Sequence, residues 1–184
     1  MRIIAGKCRS LPLKTPKGLN TRPTTDRIKE TLFNIINQDL SGARFLDLFA
    51  GSGGIGLEAI SRGADYSVFV ENNREAIRCI EDNLIFTGLA PQAMLLKTDA
   101  LSAIQRLDGG KALDIIFMDP PYGMEHEKRV LEKLKGTSLV SEDTLIIVEA
   151  DLSTKFDYLN DLGYEMIRYK KYKTNAHIFI TSID

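Results

Sequence analysis

Ile115-Ile116-Phe117-Met118 runs directly into Asp119-Pro120-Pro121-Tyr122-Gly123, and these nine residues decide the fold. Four successive apolar residues without alternation read as a strand buried on both faces, as in a parallel sheet. Two prolines then remove two N–H donors and hold the chain extended, so the strand must end at Asp119. The same unit recurs on either side. Upstream, strands are expected at Phe45 to Phe49, Ser67 to Val70 and Ala93 to Leu96; downstream, at Leu145 to Val148. Helical stretches lie between them, one through Leu57 to Ile60 and one capped by Asn72 or Asn73, with Ala76, Ile77, Ile80 and Leu84 on one face and Gly88 at its end. Tyr164 to Tyr169 and Ala176 to Ile183 read as a closing β-hairpin. The expected class is therefore α/β: a mostly parallel seven-stranded sheet with helices on both faces and a C-terminal β-hairpin. Ligands of such sheets bind at the carboxyl ends of the strands, where Asp119 stands.

The whole is expected to form one domain, 1–184, with a basic arm at 1–22 and a helix at about 24–38. A threonine N-cap at Thr24 or Thr25 precedes Asp26, and Ile28, Leu32, Ile35 and Ile36 recur at helical spacing. The chain has 184 residues, 43% apolar and 27% charged, which suits a soluble globular protein. No apolar run nears the roughly 18 residues of a membrane span, and Met1 to Lys7 lack the apolar block of a signal peptide. Two cysteines (Cys8, Cys79) and two histidines (His126, His177) are too scattered for a disulfide framework or a zinc site. A cytoplasmic, metal-free monomer is expected. The net charge of −1 hides an asymmetry: residues 1–30 hold eight basic and two acidic side chains, net +6, and the rest carries −7. Such an arm is either a handle for phosphate backbones or a solvated terminus. Arg168, Lys170, Lys171 and Lys173, interleaved with Tyr169 and Tyr172, form a second basic cluster, which also reads as a lysine-protected strand edge.

The first strand runs into Asp47-Leu48-Phe49-Ala50-Gly51-Ser52-Gly53-Gly54-Ile55-Gly56. Gly51, Gly53 and Gly56 have the spacing of a nucleotide-cofactor loop, after a strand and opening a helix. Glu71 lies 20 residues beyond Gly51, where it can accept from ribose hydroxyls or cap the turn. NAD and S-adenosylmethionine (SAM) sites share this geometry. Asp47 favours SAM, because a carboxylate there can bind the methionine ammonium but would repel a pyrophosphate; it can also brace the loop. Asp99 can take the adenine amino group or cap a helix.

Asp119 and the carbonyls freed by Pro120 and Pro121 present acceptors only, which suits a planar amino group. Tyr122 can stack on a base. At this point a resemblance is visible. Asp47 to Gly56 resembles motif I of class I SAM-dependent methyltransferases, of Rossmann-like fold, and Asp119-Pro120-Pro121-Tyr122 resembles their amino-methylating motif IV. Arg2-Ile3-Ile4-Ala5-Gly6-Lys7, Arg22-Pro23-Thr24-Thr25-Asp26-Arg27, Phe49-Ala50-Gly51-Ser52-Gly53 and Glu58-Ala59-Ile60-Ser61-Arg62-Gly63-Ala64 resemble the RsmD family. The similarity runs to about Glu149; Lys171-Tyr172-Lys173-Thr174-Asn175 lacks the glycine associated with that region.

The resemblance implies a SAM-dependent methyltransferase acting on the exocyclic N2 of a guanine in small-subunit (16S) ribosomal RNA, free or in an assembly intermediate. It implies catalytic Asp119, Pro120, Pro121 and Tyr122. Asp47, Phe49, Gly51, Gly53, Gly56, Glu71, Asn72, Asp99 and Ala100 would serve the cofactor, and Arg2, Lys7, Arg9, Arg22 and Arg27 the RNA. The alternatives are an adenine-N6 or other nucleic-acid amino methyltransferase, a protein-glutamine methyltransferase and an NAD-dependent oxidoreductase. A non-catalytic RNA-binding module would leave both strand-end acids without a task.

Overall fold

A computed structural model describes residues 1–16 and 25–183. Arg22 lies outside the described residues. Among these residues seven strands form one sheet: β1 (Arg44–Asp47), β2 (Tyr66–Glu71), β3 (Ala93–Lys97), β4 (Ile115–Met118), β5 (Leu145–Asp151), β6 (Tyr164–Lys171) and β7 (Asn175–Ser182). Their order is β3-β2-β1-β4-β5-β7-β6. β1 to β5 are mutually parallel, whereas β7 inserts antiparallel between β5 and β6. The α/β class and the closing hairpin are as expected. The strand order reverses between β1 and β4, which opens a crevice at the carboxyl ends of those two strands.

Among the described residues five helices accompany the sheet: α1 (Asp26–Ile35), α2 (Gly54–Ser61), α3 (Arg74–Thr87), α4 (Ala100–Leu107) and α5 (His126–Leu134). Thr25 caps α1, its hydroxyl accepting from Ile28 N at 3.3 Å. Asn73 rather than Asn72 caps α3, taking the N–H groups of Glu75 and Ala76. The helix expected over about 24–38 stops at Ile35 and continues as a 3-10 turn, Asn37–Asp39. Leu48 and Phe49, expected in the first strand, lie in the turn after it, because Asp47 already begins to hold the glycine loop. Ile116, Phe117, Ile146 and Ile147 are fully or almost fully buried, consistent with a sheet covered on both faces.

The described part of the basic arm, residues 1–16, is folded onto the body. Ile3 N donates to Leu11 O and Leu13 N to Met1 O, closing a short hairpin around an Arg2–Pro12 bridge. Ile3, Cys8 and Leu13 enter a cluster with Leu57, Ile60, Phe69 and Ile80. Glu58, completely buried on α2, fixes this docking: its carboxylate accepts from Ile4 N and Ala5 N at 2.8 and 2.9 Å and pairs with Lys29 and Arg62 at 3.2 and 2.7 Å. Burial pushes the Lys29 ammonium below its ordinary value while the Glu58 charge opposes this. The Glu58-to-Ala64 stretch therefore ties arm, α1 and α2 together.

Candidate active site

At the carboxyl edge of the sheet lies a cleft of about 1660 Å³, larger than the roughly 300–1,000 Å³ of a site for one small ligand. The ends of β1, β2 and β3 form one side, and those of β4, β5 and β7 the other. Among its lining residues are Asp47, Phe49, Gly51, Glu71, Asn72, Asp99 and Ala100, and also Asp119, Pro120, Pro121 and Tyr122. Apart from Gly53 and Gly56, which shape the loop from behind, all expected cofactor and catalytic residues border this cleft.

The loop from Asp47 to Gly56 is held at both ends. Asp47 Oδ2 accepts from Gly56 N at 3.1 Å, and Ala50 N donates to Val70 O. Gly53 has φ +82°, a left-handed conformation that starts α2. A Cβ on Gly56 would lie 2.4 Å from the Phe69 ring, so α2 can pack this close to β2 only with glycine there. Glu71 Oε2 accepts from Gly51 N at 2.8 Å, and Oε1 from Asn72 N and Asn73 N at 2.9 and 2.8 Å. Three N–H donors leave about one of the four acceptor sites of its carboxylate for a ligand. Asp99 caps α4, accepting from Ser102 N at 3.0 Å and from its hydroxyl at 2.7 Å. These bonds hold the Asp99 carboxyl below its ordinary range.

Asp47 is the exception. It is 1% exposed, and its Oδ1 is buried with no hydrogen-bond partner among the described residues. Burial pushes its carboxyl up to about 7; the Gly56 N–H opposes this, and the Glu71 charge adds to it. An unpartnered buried carboxylate oxygen at a cleft wall fits a cationic ligand group. The folded protein thus keeps a proton on Asp47 between about pH 4 and 7 that the unfolded chain releases, so stability falls as pH rises through that window. Asp47→Asn is expected to raise the melting temperature at pH 8 by roughly 3 °C or more and to flatten this pH dependence. Thermal melts of both proteins from pH 5 to 8 check it; an unchanged slope contradicts it.

Asp119 follows β4 and Pro120 is buried, while Tyr122 is half exposed at the rim. Among the described residues no donor reaches the Asp119 carboxyl. Burial, then the charges of Glu149 and Asp47, hold that carboxyl well above the ordinary range. Across the cleft, the α1 residue Arg27, Arg129 on α5 and Lys170, Lys171 and Lys173 of the hairpin add basic groups to the rim. An acidic floor beneath a basic rim can bind an amino group below and phosphates above.

Among the described residues, those expected to contact RNA are not gathered in one place. Arg27 lines the cleft; Arg9 is exposed on the arm. Arg2 pairs with Asp26 at 2.8 Å, and Lys7 bonds Gln92. Glu149, Asn175 and Tyr172, none of them among the expected cofactor or catalytic residues, also line the cleft. An acid directly after the apolar run Leu145 to Val148, as Asp47 and Asp119 follow theirs, was the signal for Glu149.

Comparison with known proteins gives a consistent picture. Residues 1–181 match the family described as "Conserved hypothetical protein 95". The Bacillus subtilis (strain 168) protein named "Putative rRNA methyltransferase YlbH" is 39% identical, covering 82% of this chain and 83% of that protein. The Escherichia coli (strain K12) protein named ribosomal RNA small subunit methyltransferase D is 35% identical, covering 83% and 75%. Among solved structures, the one titled "Putative methyltransferase yhhF from Escherichia coli" superposes with a TM-score of 0.86 at 32% identity, covering 99% of this chain and 97% of that one.

Proposed function

Since the chain belongs to the family described as conserved hypothetical protein 95, the RsmD family of ribosomal RNA methyltransferases, we propose that it methylates the exocyclic N2 of a guanine in small-subunit (16S) ribosomal RNA, with SAM as donor. One observation carries the reading. A glycine loop whose buried acid has an unpartnered oxygen shares a single cleft with Asp119-Pro120-Pro121-Tyr122, across the reversal of strand order.

When bound, SAM supplies a methyl group activated by its positively charged sulfur. Asp47 Oδ1 would hold its ammonium, the remaining acceptor capacity of Glu71 its ribose, and Asn72, Asp99 and Ala100 would border its adenine. An exocyclic amine is a weak nucleophile because its lone pair is delocalised into the ring. The Asp119 carboxylate and the Pro120 carbonyl accept its two N–H groups and turn the lone pair toward the methyl carbon. Tyr122 stacks on the guanine once it has left the helix. These roles are fixed before the substrate arrives, so no metal or covalent nucleophile enters the scheme. An oxidoreductase would give Asp119 to Tyr122 no task and would set Asp47 beside a pyrophosphate.

In this reading the chain is one catalytic unit with a basic N-terminal arm, acting as a cytoplasmic monomer on RNA or on an assembling subunit. Arg9 and Arg27 have no ion-pair partner among the described residues. Replacing both with glutamine is expected to weaken RNA binding and reduce the slope of log affinity against log salt by roughly 1–2, at about 0.7–0.9 per lost phosphate contact. Filter binding across a salt series measures this, and an unaltered slope would remove both residues from the interface. The reading as a whole is tested by incubating the protein with methyl-labelled SAM and, separately, unmodified small ribosomal subunits, naked ribosomal RNA, duplex DNA and release factor. Label in subunits or their RNA is expected; label in DNA or protein instead would refute the substrate assignment.

A further inference from the structure

Three carboxylates stand at or near the carboxyl ends of three adjacent strands: Asp47 is the last residue of β1, Asp119 directly follows β4 and Glu149 lies two residues before the end of β5. The parallel register pairs Met118 with Val148, so Asp119 and Glu149 are the next residues along neighbouring strands. Glu149 is 5% exposed and belongs to neither the glycine loop nor the Asp-Pro-Pro-Tyr segment. Its Oε1 accepts from Asn175 Nδ2, and its Oε2 is hydrogen-bonded to His177 Nε2 at 3.0 Å. His177 is completely buried, and its Nδ1 is 3.1 Å from Tyr172 Oη. The imidazole stands edge-on to Phe117, with ring centroids 6.1 Å apart, and Phe117 lies two residues before Asp119. The carboxylate can only accept, so Nε2 carries a hydrogen; Nδ1 then accepts from Tyr172 or donates to it. A buried carboxylate anchored through both oxygens by one antiparallel strand has a fixed position beside the catalytic acid.

We infer that Glu149 is a positioning residue: clamped by Asn175 and His177, its carboxylate makes Asp119 the acceptor of the proton released by the amine nitrogen. This rests on the methyl transfer proposed above. In that step the nitrogen lone pair forms the N–C bond, the C–S bond pair stays with sulfur, and one N–H proton passes to the Asp119 carboxylate. An isolated aspartate is too weak a base for this near neutrality, whereas one beside a second fixed negative charge is closer to the ideal. The raised range of the Asp119 carboxyl, caused by burial and then by Glu149 and Asp47, agrees with this arrangement. Among the described residues, other charged and titratable groups around the cleft include Tyr122 at its rim, Glu71 at the end of β2 and Asp99 capping α4, Arg27 and Lys29 on α1, and His126 and Arg129 on α5. On the hairpin side are Asp151 on β5, Lys170 and Lys171 on β6 and Tyr172 and Lys173 in the turn, with His177 behind Glu149.

The test is the pH profile of methyl transfer by the full chain. Glu149→Gln keeps the shape and removes the charge. The acidic limb of kcat/KM is expected to move down by about one pH unit, and the plateau to fall several-fold. Glu149→Asp retains the charge and is expected to keep the limb at its wild-type position. A reduced plateau with an unmoved limb in the Gln variant would show a structural role only and overturn the inference. A second measurement needs neither substrate nor a folded variant at position 149. Carboxyl carbon NMR of the wild-type protein, with the Asp119 signal assigned from Asp119→Asn, is expected to show Asp119 titrating well above the usual aspartate range. Titration near the ordinary value of about 4 would overturn the inference. Failure of wild-type transfer to guanine would instead retire the functional reading, and the NMR titration would still report on the carboxyl pair.

Discussion

Replacing Asp119 with alanine is expected to lower methyl transfer to small-subunit RNA by about 10²–10³-fold or more while SAM affinity stays within several-fold. The two readouts separate because Asp119 stands on the β4 side of the cleft, while the loop from Asp47 to Gly56 stands on the β1 side. Among the described residues no donor binds the Asp119 carboxyl, so its removal leaves no hydrogen bond of the fold unmade. On the proposed mechanism, what disappears is the acceptor for the reacting amine. Single-turnover kinetics and titration calorimetry on the same preparation make the comparison; turnover within a few-fold of wild type would refute the role.

Gly53→Val is expected to produce the opposite separation, a loss of SAM affinity of about 100-fold or more, close to 3 kcal/mol, before any question of chemistry. Gly53 has φ +82° at the start of α2, donates to Ala50 O at 2.7 Å and accepts from Leu57 N at 2.9 Å. The left-handed conformation costs an ordinary L residue roughly 1–2 kcal/mol and a β-branched one more. A Cβ would also be 3.4 Å from each of Ile80, Leu57 and Phe69, leaving little room for the two methyl groups of valine. The turn must therefore re-form, displacing the Gly51 and Gly56 amides that position Glu71 and Asp47. Gly53→Asn, which tolerates this backbone better, is expected to lose less affinity. Circular dichroism confirms that the variants fold. Calorimetry giving valine and wild-type proteins equal affinity would mean that the loop does not hold the cofactor.

The parts of this molecule legible in the sequence are those governed by short-range rules. Ile115 to Met118 forms a strand with those limits because an apolar run and a Pro-Pro stop need no tertiary information. Gly51, Gly53 and Gly56 mark the turn because backbone geometry and close packing demand glycine there. The arm was harder to read. Its charges suggest solvent or phosphate, yet Ile3 is fully buried and the buried Glu58 collects two of its amides. That clamp joins residues more than 50 positions apart, and no periodicity reports it. The same holds for Glu149, Asn175, His177 and Tyr172. A buried histidine inside the apolar run Ala176 to Ile180 needs an internal partner, and only the antiparallel placement of β7 against β5 identifies it as Glu149.

The most direct test of the central claim is the identity of the methylated atom. Small ribosomal subunits lacking modification would be incubated with the protein and labelled SAM, digested to nucleosides and resolved by mass spectrometry. The site geometry and the family predict N2-methylguanosine as the product, at one position, abolished by Asp119→Ala. N6-methyladenosine, or label recovered in protein, would contradict the claim even if the glycine loop proved to bind SAM.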